Sequence, residues 1–91
     1  MDTLLQLREN IDFIDNNLLV LLKERFETIE KIKKIKNANK IPILDHKREE
    51  KIYTNIYNNF NEYYIYFKPI YEMILRESKS YQKSKIKLIS L

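Results

Sequence analysis

Thirteen lysines and only four arginines carry the positive charge of this 91-residue sequence, yet Arg8, Arg25 and Arg48 fall on stripes that are otherwise apolar. Lysine is a compact, hydrated point charge, whereas the planar fork of arginine grips a carboxylate or phosphate at two points. The stretch ILDHKREEKI, residues 43–52, sharpens the contrast. Read as a helix start, it sets Asp45, Arg48, Glu49 and Ile52 at i, i+3, i+4 and i+7, and the stripe runs on to Ile56. A solvated face would be charged throughout, and a core face would carry no charge. Lys36 follows Arg25 by eleven residues, and Ser78 and Gln82 follow Ile74 at four-residue steps, so they too lie on core stripes. Buried charges are costly unless paired, and the acids here are too few to pair every cation. A bound anion resolves this. The pattern describes a pocket for a small ligand with more than one carboxylate. Asp45 and Glu49 could receive a ligand hydroxyl, while Ser78 and Gln82 add neutral donors.

Each residue taken singly has an ordinary reading as well. Arg8 and Arg25 could form interface salt bridges with Asp15 or with glutamates. Asp45 could be a helix cap and nothing more, and Arg48 and Glu49 simple first-turn charges. Ser78 could be a small residue at a helix crossing, and Gln82 a surface residue.

Long helices must hold these groups. From Thr3 to about Asn37 there is no Gly or Pro, and apolar residues recur at helical spacing. Alternating steps of four and three pick out Leu4, Arg8, Ile11, Asp15, Leu18, Leu22, Arg25, Ile29, Ile32 and Lys36, a heptad-like seam interrupted by charge. Asp2 or Thr3 can cap its start. NANKIP ends it, with Asn37 and Asn39 suited to turn geometry and Pro42 forbidding continuation. A second helix begins at Asp45 and fades in NNFN at 58–61; a third carries Phe67, Ile70, Tyr71, Ile74, Leu75, Ser78, Tyr81 and Gln82, with Pro69 near its start. The tail IKLISL is left unassigned.

The expected fold is all-α, one domain over residues 1–91. Its first helix is too long for a lone globule. Thirty-five residues span roughly 52 Å, against a diameter of roughly 30 Å for a compact chain of this size. An intertwined homodimer, in which a second copy covers the first helix, is the expected assembly.

Composition narrows the chemistry. With no Cys there is no thiolate nucleophile, disulfide or Cys-based zinc site. The single histidine, His46, sits among charges at a helix start and is expected to be exposed, so neither a metal site nor a catalytic triad is expected. The N-terminal segment has an early acid and an amphipathic pattern, and no apolar run approaches the roughly 20 residues of a membrane span. A cytoplasmic protein without membrane association is expected. The net charge of +4 suits any anionic partner.

Together, LLQLRENIDFIDNNLLVLLKERFETIEKIKKIK, IPILDHKREEKI and ILRESKSYQ resemble the all-helical class of chorismate mutase, from about Leu4 to Gln82. The motifs are L-R-x-x-I-D at the start, E-R with a lysine eleven residues after the arginine, P-x-x-D-x-x-R-E, and S-x-x-x-Q. The connection between the second and third helices is a few residues shorter than in those relatives. The resemblance implies conversion of chorismate to prephenate on the route to phenylalanine and tyrosine, with no cofactor. It places Arg8, Arg25, Lys36, Asp45, Arg48, Glu49, Ser78 and Gln82 on active-site positions, with Arg8 contributed across the dimer interface. The arginines would grip the carboxylates with help from Ser78, Glu49 and the Asp45 region would receive the ring hydroxyl, and Lys36 and Gln82 would donate to the ether oxygen. An isochorismate-pyruvate lyase or an aminodeoxychorismate mutase could share such a site, although Glu49 beside Arg48 favours chorismate. A basic helical module for nucleic acid would need exposed cationic clusters. The only such cluster, Lys79, Lys83, Lys85 and Lys87, reads as a solvated helix end.

Overall fold

A computed structural model describes residues 3–83. It contains, in chain order, α1 (Leu4–Asn39), α2 (His46–Asn59), a 3-10 turn (Asn61–Tyr63) and α3 (Tyr64–Lys83). Among the described residues there is no strand, and the architecture is all-α as expected. The IKLISL tail lies outside the described residues.

Thr3 caps α1 through a reciprocal capping box. Its hydroxyl accepts from the Gln6 N–H at 3.2 Å, and its own N–H donates to Gln6 Oε1 at 2.7 Å. At the other end the helix runs through both asparagines that were expected to begin the turn. Lys40 instead takes the left-handed conformation, with φ 54°. Its N–H bonds to Asn37 O at 3.4 Å, and the Ile41 N–H bonds to Lys36 O at 2.8 Å. This pair closes a Schellman motif. The chain has no glycine, so the left-handed position falls to another residue.

Asp45 is the N-cap of α2, its Oδ1 accepting from the Arg48 N–H at 3.0 Å. The turn into α3 is short and closed by rings: Tyr57 meets Tyr64 edge-on at 5.4 Å, and Tyr63 stacks on Phe67 at 5.4 Å. Pro69 is not in the first turn of α3 as expected but inside the helix. The helix starts earlier than the proline suggests, because the 3-10 turn leads directly into Tyr64. Pro69 deprives the Ile65 carbonyl of its usual N–H, and the proline ring crowds the same carbonyl.

The core is small: Ile56 and Leu75 are its buried apolar residues, and α3 packs on both α1 and α2. Only the C-terminal part of α1 shares in it. Residues 3–21 are exposed throughout, and partial burial begins at Leu22. The stripe of Leu4, Leu7, Ile11, Ile14, Leu18 and Leu21 is 48–64% exposed. The extents of 56 × 39 × 16 Å and the radius of gyration of 16.6 Å reflect this projecting rod, since a compact chain of this length would have a radius near 12 Å.

Candidate active site

The three helices converge on a cavity of about 440 Å³, within the usual range for small-molecule sites. Arg25, Ile29, Ile32 and Lys36 reach it from α1, with Ile43 from the connection. Asp45, Arg48, Glu49 and Ile52 come from α2, and Leu75, Ser78, Lys79 and Gln82 from α3. Seven of the eight residues singled out in the sequence therefore line one space. The periodicity explains why. Arg25 and Lys36 are eleven residues, about three turns, apart on one stripe; Arg48 and Glu49 open α2 beside its cap, and Ser78 and Gln82 are one turn apart.

Arg8 is the exception. It is exposed on the free half of α1 and does not line the cavity. Seventeen residues separate it from Arg25 along one straight helix, roughly 26 Å. Its own chain cannot bring it to the site.

Several side chains are held in place before any ligand is present. Arg25 Nη1 donates to Ser78 Oγ, and the Ser78 hydroxyl donates to Ile74 O at 2.7 Å. The Ser78 proton is thus committed, and the residue orients Arg25 instead of offering the neutral donor its type suggested. Lys36 Nζ donates to Ile43 O at 2.8 Å, which leaves an ammonium two further donors. Ser78 and Gln82 are buried, at 3% and 8% exposure, while Arg48 and Asp45 are exposed at the mouth. Among the described residues, Gln82 Oε1 is a buried side-chain atom without a hydrogen-bond partner.

Burial lowers the Arg25 guanidinium below its ordinary pKa; Tyr71 opposes that shift and Arg48 adds to it. Two guanidiniums sharing one partly desolvated space favour an anion between them. At the inner end, Tyr81 braces α3 against α1. Its ring meets Phe26 edge-on at 5.3 Å, and burial together with Glu30 pushes its hydroxyl pKa up. That brace sits beside Gln82.

Lys79 is the residue that sequence reasoning missed. It was grouped with a solvated basic cluster, yet it lines the cavity and its Nζ lies 3.0 Å from Glu49 Oε2. Its position four residues after buried Leu75 was the available signal. Lys83 is exposed as expected, and Lys85 and Lys87 lie outside the described residues. His46 is exposed. Among the described residues no group of three or more His, Cys, Asp or Glu is placed to hold a metal, and no helix is long and apolar enough to cross a membrane.

The described residues form an all-α chain whose helices bring two arginines, two lysines, two acids and a neutral amide to one cavity. The comparison with known proteins is more specific. Residues 7–83 match the family model described as chorismate mutase type II. The chain is 33% identical over 86 residues to a chorismate mutase of Methanocaldococcus jannaschii, covering 91% of this chain and 87% of that protein. No solved structure matches it significantly. The chain belongs to the chorismate mutase type II family and is an isomerase of that family.

Proposed function

We propose that the chain rearranges chorismate to prephenate in the cytoplasm, on the route to phenylalanine and tyrosine, with its single domain working as a homodimer. The observation that carries this reading is the convergence of Arg25, Lys36, Arg48, Glu49, Ser78 and Gln82 on one cavity. The rearrangement breaks an ether C–O bond and forms a C–C bond within one molecule. It calls for no nucleophile. The protein must hold a flexible dicarboxylate folded and stabilise charge as it develops on the ether oxygen.

Arg25, fixed by Ser78, and Arg48 at the mouth grip the carboxylates. Glu49, with the Asp45 region, receives the ring hydroxyl. Lys36, anchored on Ile43 O, and the Gln82 amide donate to the ether oxygen. Losing one such preorganised donor costs roughly 3–4 kcal/mol of transition-state stabilisation.

The remaining cation is Arg8 of a second copy. Two α1 helices paired antiparallel about residues 16–17 set Arg8 of one level with Arg25 of the other, because 8 and 25 are equidistant from that centre. The same pairing covers the exposed leucines and isoleucines on both sides of the centre. A second cavity of about 480 Å³ adjoins the first at Arg25 and Arg48 and is walled by Ile56, Phe60, Phe67 and Tyr71. Lys51 and Asn55 also line it, so it offers the start of the partner's α1 a seat of mixed polarity.

The test is incubation of the purified chain with chorismate, with and without a chelator, and identification of the product by NMR. Prephenate in both cases is expected. Salicylate and pyruvate formed from isochorismate, with chorismate untouched, would move the activity to lyase chemistry. Preferential turnover of aminodeoxychorismate would move it to that mutase.

A further inference from the structure

Lys79 stands between two site residues on α3, one position after Ser78 and three before Gln82. It reaches across the cavity to α2, where its Nζ meets Glu49 Oε2 at 3.0 Å, with side-chain exposures of 32% for Lys79 and 24% for Glu49. We propose that Lys79 is a positioning residue that holds Glu49 apart from the arginines, so that this carboxylate stays available to the substrate hydroxyl. The inference rests on the function proposed above.

The reason lies in competition among like partners. Glu49 is a flexible carboxylate in a cavity that also holds Arg25 and Arg48. Arginine forks bind carboxylates at two points and would outcompete a single hydroxyl. Glu49 paired in that way would be lost as an acceptor for the ring hydroxyl. The ammonium of Lys79 occupies Oε2 from the opposite helix. A carboxylate has about four lone-pair sites, so capacity remains for the ring hydroxyl. A lysine suits the task because its point charge takes one oxygen without the two-point geometry of the arginines.

The experiment compares wild type, Lys79→Met and Lys79→Arg, with the folded fraction checked by circular dichroism. Two quantities are measured: kcat/KM on chorismate, and the inhibition constant of an analogue lacking the ring hydroxyl. For Lys79→Met, kcat/KM should fall about tenfold, mainly through KM. Lys79→Arg keeps the charge but can engage both Glu49 oxygens, so it too should lower kcat/KM on chorismate, by about threefold or more. The analogue, having no hydroxyl to present, should bind all three proteins alike. Lys79→Met with wild-type kcat/KM would overturn the proposal, whatever its melting temperature, since the bridge would then only tie α2 to α3. An equal loss for chorismate and the analogue would overturn it too, since Lys79 would then act on the carboxylates directly. Wild type inert towards chorismate would overturn the function on which the proposal rests, a result distinct from an active wild type matched by an active Lys79→Met.

Discussion

Gln82 is buried and lines the cavity, and the role proposed for it uses its side-chain N–H groups as donors. An amide donates at any ordinary pH. Gln82→Glu keeps the shape but donates only when protonated, and an unperturbed glutamic acid titrates near about 4.3. Burial would raise that value and the Lys36 ammonium lower it. In either case the variant should be poor at neutral pH and gain kcat/KM as pH falls, while wild type changes little over the same range. A variant whose profile merely parallels wild type would remove Gln82 from the mechanism. Ser78→Ala addresses the orientation of Arg25. Removing the hydroxyl between Arg25 and Ile74 O should lower kcat/KM by roughly tenfold, the scale of one charged hydrogen bond. Much of this was legible in the sequence, because an arginine is conspicuous in a chain that otherwise uses lysine. For the same reason Lys79 was not. One lysine among thirteen carries little signal until its neighbour across the helix interface is known.

At the scale of elements, the sequence signals worked where a residue type matches a geometry and faded where it does not. Asp45 reads as a cap and acts as one, with Oδ1 on the Arg48 N–H. Asp45→Ala should cost about 1 kcal/mol of stability, read from the urea midpoint, and should also disturb the site, since the same cap sets the start of the helix carrying Arg48 and Glu49. The end of α1 had no such marker. A glycine would have announced the left-handed residue, but the chain has none, and Lys40 takes that conformation by default. Lys40→Gly should therefore stabilise the fold by about 0.5–1 kcal/mol, the relief of the Cβ clash less the added freedom of the unfolded chain. An unchanged or lower urea midpoint would contradict that. Pro69 misled in the opposite direction. It suggested a helix start, but the helix begins earlier because the 3-10 turn leads into it, with Tyr63 stacked on Phe67 across the junction.

For the whole molecule, the dominant fact is a 36-residue helix whose first half is exposed throughout among the described residues. Its length was readable from the unbroken apolar periodicity. That length, set against the diameter of a compact chain of this size, is what led to the expectation that a second copy covers it. The exposed stripe from Leu4 to Leu21 and the distance of Arg8 from the cavity are both explained by one partner helix. Light scattering coupled to size exclusion should give about twice the chain mass of 11.2 kDa wherever the protein is folded. The more direct measurement mixes two inactive variants. On the proposed shared site, Arg8→Ala would remove a cation from the partner's site and Arg48→Ala one from its own. In a mixed dimer both lesions fall in the same site and the other is intact. Co-refolding equal amounts should therefore restore about a quarter of wild-type activity, with half of the dimers mixed and half of their sites whole. No recovery, with subunit exchange demonstrated by tagged chains, would contradict a site completed by Arg8 of the second copy.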